Sequence, residues 1–296
     1  MSIRAVLAPL LIVLSLAVAL VGCGTSSTTE PSSVPPVTVT VTAPPSSSAP
    51  STSESATPRT TALTTGFTRA QASAGQPVGV VVVPVGGGEA VELGDQTPRV
   101  AWSTIKVPLA IAAQRANGQS SAQTTAIINS DNASAEQLWS SLGSAGQASA
   151  AVTAVLRDGG DTSTVVPAQR LRPGYTVFGQ TVWTLAAAGT FTAQLPCMRG
   201  TEHVVSLMGQ VAANQQWGVE TMATPKATAV KGGWGPGASS GYVVRQIGLI
   251  TYRDGRMASI VMSTAGSSLD SGIAALNVIG RWLNRNLVQL PRGRCS

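Results

Sequence analysis

The run Val78–Val85, in which nearly every residue is valine, constrains the fold of this chain more than any other segment. β-branched side chains favour extended backbone, and a continuous apolar run of this length predicts a buried strand. Three glycines then turn the chain, and polar and apolar residues alternate over Glu89–Leu93, as they do in the second strand of a hairpin. The folded region is therefore predicted to begin with part of a sheet.

A helical region is predicted to follow this hairpin. The apolar stretch 107–113 predicts a helix that ends near Gly118, with an irregular first turn because Pro108 cannot donate a backbone hydrogen bond. Further helices are predicted at 120–129, 134–141, 147–157, 180–194 and 201–213. Residues 161–178 contain two prolines and no clear period, which predicts a long loop of the kind that is usually functional or disordered.

Strands return near the C-terminus. They are predicted at 227–230, 242–252 and 257–263, and the last two flank Arg253-Asp254-Gly255-Arg256, a strong hairpin-turn pattern. Apolar residues at helical spacing then predict a helix over 269–287 that packs on the sheet. The order predicts an α+β fold, in which an antiparallel sheet flanked by helices carries an all-helical lobe inserted between its strands.

The N-terminus is predicted to be a targeting segment. Arg4 precedes an apolar stretch, and Leu20-Val21-Gly22-Cys23 resembles the cleavage box of bacterial lipoproteins. Residues 1–22 are therefore expected to be a signal peptide, and Cys23 is expected to carry a lipid that anchors an exported chain to the outer face of the cell membrane. An uncleaved membrane helix is the alternative, because the apolar stretch is nearly long enough to span a bilayer.

Domain boundaries follow from composition. After Cys23, a segment rich in Ser, Thr, Pro and Val cannot bury enough apolar surface to fold, so 23–60 is predicted to be a lipidated cysteine and a disordered tether. The folded domain is then 61–296, with a sheet lobe at about 61–112 and 226–296 and a helical lobe at about 113–225. In an exported protein, Cys197 and Cys295 are expected to form a disulfide, and two unpaired thiols are the alternative.

Composition argues against several functions. The net charge of +6 comes mostly from scattered arginines, and no basic run alternates with aromatic residues, so nucleic-acid binding is not predicted. The chain has no metal-ligand spacing, and neither a metal nor a cofactor is expected.

Chemistry is predicted first at Ser103-Thr104-Ile105-Lys106. Residues three apart lie on one face of a helix, where the lysine amine can take the proton of the serine hydroxyl and make it a nucleophile. A chance spacing is the alternative, because serine is abundant in this chain.

Two further stretches supply what an acyl-transfer site needs beyond its nucleophile. Ser130-Asp131-Asn132 falls between predicted helices, and Lys231-Gly232-Gly233-Trp234 ends a predicted strand. They offer a hydroxyl to relay a proton, a carboxamide to hold a substrate amide and an ammonium to neutralise a carboxylate. The alternatives are a helix cap for the first stretch and a plain strand end for the second.

The ordered set Ser-x-x-Lys, Ser-Asp-Asn and Lys-Gly-Gly resembles the motifs of the serine β-lactamase and penicillin-binding protein family, in particular the class A β-lactamases. The resemblance extends from about Gly75 to the C-terminus and implies that fold. It also implies roles for the matching residues, as follows. Ser103 would be acylated, Lys106 would accept its proton, and Ser130 would protonate the departing nitrogen next to Lys231.

The resemblance also implies the substrate-binding residues. Asn132 would bind the substrate amide, Gly233 would lie in the strand that borders the substrate, and the backbone N–H groups of Ser103 and Trp234 would form the oxyanion hole. Asp131 is expected to be structural. The implied partners are peptidoglycan peptides or β-lactams.

The sequence departs from that family at the step that releases the acyl group. Class A enzymes use a loop glutamate to activate water, but this chain has no Asp or Glu between Asp161 and Glu202, and an ungapped count places Val166 there. Asp158 and Asp161 lie too early, although a shifted loop would bring them closer. Gly232 also replaces the hydroxyl residue of the usual Lys-Thr-Gly.

These departures leave three hypotheses. The first is an envelope serine acyltransferase or hydrolase that forms an acyl-enzyme on Ser103 and releases it slowly. The second is a catalytically degraded domain that binds cell-wall material or a protein partner. The third is a β-lactamase with an atypical deacylating group.

Overall fold

The computed structural model describes residues 58–239 and 241–296. The predicted signal peptide, the predicted lipid attachment site at Cys23 and almost all of the predicted tether lie outside these residues. Within the described part of the chain, no helix is both long enough and apolar enough to cross a membrane.

Five antiparallel strands form the main sheet. The strands of the chain are Val78–Pro84 (β1), Val91–Gly94 (β2), Arg99–Val100 (β3), Val182–Trp183 (β4), Ala227–Pro236 (β5), Tyr242–Thr251 (β6) and Met257–Gly266 (β7). The main sheet has the order β2-β1-β7-β6-β5, and β3 pairs with β4 in a separate ladder. The predicted antiparallel sheet is confirmed, and β5 lies at one of its edges.

The described residues contain eight α-helices. They are Pro58–Ala74 (α1), Lys106–Asn117 (α2), Ser121–Ile128 (α3), Asn132–Ser140 (α4), Ala145–Asp158 (α5), Leu185–Gln194 (α6), Glu202–Met208 (α7) and Leu269–Arg285 (α8). Helix α8 contacts α1, β6 and β7, whereas α6 contacts β1, β6 and β7, and α2 to α5 contact one another. The predicted α+β class, with helices on the sheet and a helical lobe, is confirmed.

The valine run is buried on both faces, as its composition predicts. Val80 and Val82 belong to one apolar cluster with Phe67 of α1 and Trp282 of α8. Val81 belongs to a second cluster with Phe191 of α6. Successive side chains of a strand point to opposite faces, so β1 joins the two cores.

Several boundaries differ from the sequence predictions. Helix α1 was not predicted, because its threonine-rich sequence has little helical periodicity; burial of Leu63 and Phe67 holds it on the sheet. Helix α6 begins five residues later than predicted, since Thr184 caps it by accepting from the Ala187 N–H. Helix α6 also packs on the sheet, although its residues fall within the predicted helical lobe.

The last two differences concern α7 and β5. Helix α7 ends at Met208 rather than 213, because Gly209 follows as its C-cap. Strand β5 runs six residues beyond the predicted end at Val230, through Lys231 and on to Pro236, because β6 pairs with it along its whole length.

The segment 161–178 has almost no regular structure, as predicted. The side chain of Gln180 holds its second half by bonding to the backbone of Arg172, Tyr175 and Thr176. The predicted disulfide is also present, with an S–S distance of 2.07 Å between Cys197 and Cys295, and it ties the C-terminal tail to the middle of the chain.

Candidate active site

Ser103 lies in a single 3₁₀ turn, 102–105, that leads directly into α2. The Thr104 hydroxyl donates to the Ala101 carbonyl at 2.6 Å, and the Ala101 N–H donates to Thr181 O at 2.7 Å. Trp102 has a φ of +46°, a left-handed conformation that costs a non-glycine residue about 1–3 kcal/mol. The fold therefore fixes the backbone on both sides of the serine.

Lys106 begins α2, and only 1% of it is exposed. Its Nζ donates to Ser130 O at 2.6 Å, Asp131 O at 3.1 Å and Asn132 Oδ1 at 2.8 Å. Burial lowers the pKa of Lys106 to about 8, although the charges of Asp131 and Glu136 act in the opposite direction.

Lys106 makes no hydrogen bond to Ser103 Oγ within the described residues. An ammonium has three N–H donors, and the three oxygens of residues 130–132 named above already accept from all of them. Only a neutral lysine has a free lone pair on Nζ. Lys106 must therefore lose a proton before it can accept the proton of Ser103.

The stretch Ser130-Asp131-Asn132 contains the N-cap and the first residue of α4, as the helix-cap alternative predicted, and it also borders the site. Asp131 caps the helix, because its Oδ2 accepts from the Ser134 N–H at 2.6 Å, and hydrogen bonds from Ser134 lower the pKa of this carboxyl. Asp131 is structural, as predicted. Ser130 has a φ of +59°, and it and Trp102 are the two non-glycine residues with positive φ in the described part of the chain.

Lys231 lies in β5 and is fully buried. Its Nζ donates to Ser130 Oγ at 2.8 Å, Gln215 Oε1 at 2.5 Å and Gly232 O at 2.9 Å. Burial lowers the pKa of Lys231, and the charge of Lys106 lowers it further. Ser130 thus connects the two lysines, through its carbonyl to Lys106 and through its hydroxyl to Lys231.

Gln215 is a site residue that sequence analysis missed. It is fully buried, and its Oε1 accepts from both Lys231 Nζ and the Gly232 N–H, the latter at 3.0 Å. Its Nε2 donates to the carbonyls of Ile127 and Ile128 at the end of α3. Gln215 therefore joins the helical wall to β5. A lone glutamine between two elements gives no sequence pattern by which it would be found.

Arg245 of β6 is a second residue that sequence analysis missed. It is fully buried, and its Nη1 donates to the carbonyls of Arg99, Val100 and Trp183 at 2.9–3.3 Å. Burial lowers the pKa of its guanidinium to about 9. Arg245 thus ties the β3–β4 ladder, which leads into the Ser103 turn, to the main sheet.

Strand β5 forms the wall opposite α4. A methyl group at Gly233 would lie 2.8 Å from Ala101 O and 2.9 Å from Ser103 N, so only glycine permits this approach. The Gly232 N–H points away from β6, since it donates to Gln215, and the N–H of Trp234 two residues later points to the same side. The Trp234 N–H therefore points outward from the edge of β5, away from the sheet.

A cleft of about 360 Å³ runs between these walls. Ser103, Ser130 and Asn132 line it, and none of the described residues that line it has a charged side chain. Aromatic residues make up only 4% of the sequence, yet four of them line this cleft: Trp102, Tyr175, Trp234 and Tyr242. The cleft thus combines the Ser103 hydroxyl with flat apolar walls.

The loop 161–178 brings no carboxylate to this cleft. Val166 is buried, and its backbone is fixed to α5 by hydrogen bonds with Ser149 and Thr153. Asp161 is also buried; its Oδ2 accepts from Trp183 Nε1 and its Oδ1 from the Ser163 and Thr164 N–H groups. The idea that a shifted loop would bring Asp161 to the site is therefore wrong.

Asp158 is engaged elsewhere, in a surface ion pair with Arg115. Among the described residues, no group of three or more His, Cys, Asp or Glu side chains is placed to hold a metal ion.

Comparisons with known proteins identify the fold. No protein-family model matches the chain, and no curated protein sequence matches it at a significant level. Solved structures do match. A β-lactamase from Desulfarculus baarsii is 19% identical with a TM-score of 0.56, over 76% of this chain and 98% of the solved one. A β-lactamase from Xanthomonas campestris is 18% identical with a TM-score of 0.58, over 77% and 98%.

An ancestral class A β-lactamase, GNCA, gives the same result, with 19% identity and a TM-score of 0.56 over 75% of this chain and 99% of the solved one. Identity at this level establishes the architecture and leaves the activity to be argued from the site. The chain has the fold of the class A β-lactamases.

Proposed function

We propose that this protein is a lipid-anchored serine acyltransferase or hydrolase of the cell envelope, and that it forms an acyl-enzyme on Ser103. The observation that supports this most is the connected set of Lys106, Ser130 and Lys231 beside a serine on a rigid turn. In this fold class, such a set faces the reacting group from two walls of one cleft. The lipid anchor at Cys23 and export remain proposals from the sequence.

Acylation would begin with the neutral form of Lys106. Its amine takes the proton from Ser103 Oγ, and the oxygen attacks the substrate carbonyl. The backbone N–H groups of Ser103 and Trp234 stabilise the oxyanion, and the outward direction of the Trp234 N–H supports this role.

The leaving nitrogen would take its proton from Ser130 Oγ. Lys231 replaces that proton, because its Nζ lies 2.8 Å from this oxygen. Asn132 lies in the cleft wall, where its carboxamide can bind the substrate amide. The proposed acyl group then stays on Ser103, since no carboxylate lines the described cleft, and its release is slow.

The substrate would be a peptidoglycan peptide or another acyl donor, and β-lactams would act as substitutes for it. The four aromatic residues that line the cleft favour an acyl donor with a flat apolar group next to its carbonyl, because aromatic faces stack well on such a group. Gly232 offers no hydroxyl to a substrate carboxylate, which weakens selection for an anionic donor.

A fluorescent penicillin tests the proposal directly. The full chain in detergent is incubated with it, and intact mass is followed over time. We expect an adduct of one molecule per chain that Ser103→Ala abolishes and that Ser73→Ala, an exposed serine on α1, leaves unchanged. Absence of any adduct and of any hydrolysis would refute the enzymatic proposal for this class of substrate.

A non-catalytic binding domain is the second candidate. It is favoured by the three hydrogen bonds that engage Lys106 on the far wall and leave none for Ser103. Saturable binding of cell-wall fragments without an adduct would support it. Fast hydrolysis without an accumulated adduct would instead support a β-lactamase with an atypical deacylating group.

A further inference from the structure

Arg172, in the loop 161–178, contacts three of the residues that line the cleft, although it does not line the cleft itself. Its Nη1 donates to Pro236 O, at the end of β5, over a distance of 3.0 Å. Its guanidinium also lies 4.6 Å from the centroid of the Tyr175 ring and 5.9 Å from that of the Trp102 ring. A cation within about 6 Å of a ring centroid is attracted to the ring face. Arg172 therefore joins the loop both to β5 and to the aromatic wall of the cleft.

The backbone of Arg172 is held independently of these side-chain contacts. Gln180, which is 1% exposed, accepts from the Arg172 N–H at 2.5 Å and donates to the Arg172 carbonyl at 3.4 Å. Within the described residues, the bond to Pro236 is the single hydrogen bond between the loop 161–178 and β5. A substitution of Arg172 thus breaks the connection to β5 and leaves the bonds to Gln180 in place.

Trp102 connects Arg172 to Ser103, its neighbour in the chain. The left-handed φ of Trp102 persists in a residue with a side chain only where the surroundings hold it. Its Nε1 is buried and has no hydrogen-bond partner among the described residues, so the contacts of the ring must hold the indole. Besides Arg172, they include Tyr175, with ring centroids 5.1 Å apart, and Gly235, where a methyl group would lie 2.6 Å from Trp102 Cε2.

We propose that Arg172 is a positioning residue for acylation: it holds Trp102, and through Trp102 it orients the backbone N–H of Ser103 toward the oxyanion. This inference rests on the proposed function. Oxyanion donors are effective when the fold orients them before the reaction begins. The Ser103 N–H belongs to the peptide group that follows Trp102, so a rotation of the Trp102 backbone would turn this donor away from the reacting carbonyl.

The test compares acylation of wild type and Arg172→Met, as full chains in detergent, over a range of fluorescent penicillin concentrations. Methionine keeps an apolar stem but loses the bond to Pro236 and the charge over the rings. We expect the saturating rate to fall about tenfold, while the half-saturating concentration changes less than about twofold, because misplaced reacting groups cost rate rather than binding. Arg172→Lys should recover part of the rate, since lysine keeps the charge and a donor but lacks the planar guanidinium. Arg170→Met, at an exposed arginine of the same loop, should match wild type.

Two further measurements locate the effect at the turn. The N–H groups of Ala101 and Thr104, which donate to Thr181 O and Ala101 O, should exchange with deuterium faster in Arg172→Met than in wild type. The midpoint of the pH profile of acylation should stay the same, because Arg172 makes no hydrogen bond to Lys106 within the described residues.

Each contrary result has a distinct meaning. Acylation of Arg172→Met at the wild-type rate overturns this inference and leaves the proposed function intact. A rate that falls only through a higher half-saturating concentration also overturns it, because Arg172 would then act on substrate binding. Faster exchange spread over the whole described chain would show a general loss of stability and would overturn it too. Absence of label from both proteins overturns the proposed function and this inference with it.

Discussion

Acylation of Ser103 should depend on pH through Lys106, and the structure gives the size of the effect. Burial lowers the pKa of this lysine to about 8. Only the neutral amine can take a proton, so about a tenth of the protein is competent at pH 7, about half at pH 8 and about nine-tenths at pH 9. The rate of acylation should therefore rise about tenfold from pH 7 to pH 9 and then level off.

Lys106→Arg isolates this effect. Arginine keeps the positive charge and the donors to the far wall, but it does not lose its proton in this range. We expect acylation to fall by about 10²–10⁴-fold, the usual contribution of a general base, and its rise with pH to disappear. Lys226→Arg is the matched control, because Lys226 is the third lysine of the chain and is exposed.

The assay is stopped-flow acylation by a fluorescent penicillin between pH 6 and 9.5. A rate that is flat over this range would contradict the assignment of Lys106 as the base, and so would a Lys106→Arg protein within tenfold of wild type. A pH-dependent rise that survives in Lys106→Arg would assign proton transfer to Lys231, whose pKa is also lowered by burial.

Two further predictions concern the architecture around the site. Gly233→Ala should slow acylation at least tenfold, because its methyl group would displace the Ser103 turn. Gly146→Ala is the control and should have no effect, because a methyl group there meets no atom within 4 Å. Equal rates for the two variants would show that the turn can move aside. Replacing Cys197 and Cys295 together by serine should lower the free energy of unfolding, measured by urea denaturation, by about 3–5 kcal/mol. The reason is that the disulfide closes a long loop with a sequence separation of 98. An unchanged urea midpoint would mean that the disulfide does not constrain the unfolded chain.

Local sequence patterns determined most of the secondary structure. The valine run, the Arg253–Arg256 turn and the capped helices are specified by neighbours in the sequence, because side-chain branching and backbone hydrogen bonding act over a few residues. Helix α1 lacks such a pattern and forms where its apolar residues meet α8. Strand β5 is longer than predicted for a similar reason, since its glycine-rich end is held by pairing with β6.

The family motifs predicted that Ser103, Lys106, Ser130, Asn132 and Lys231 belong to one site, and hydrogen bonds join Lys106 to Asn132 and Lys231 to Ser130. Their distances were not predictable, because they depend on how α4 and β5 approach the turn between them. Only the tertiary structure showed that Lys106 Nζ donates to Ser130 O and Asn132 Oδ1 and makes no hydrogen bond to Ser103 Oγ within the described residues.

The sequence by itself thus determined the fold class, the Ser-x-x-Lys motif and the absence of Asp and Glu between Asp161 and Glu202. Only the tertiary structure showed that Gln215 joins Lys231 to the helical wall and that Arg245 ties the β3–β4 ladder to the main sheet. Such contacts join residues far apart in the chain and reflect the need of buried polar groups for partners, which no local pattern records.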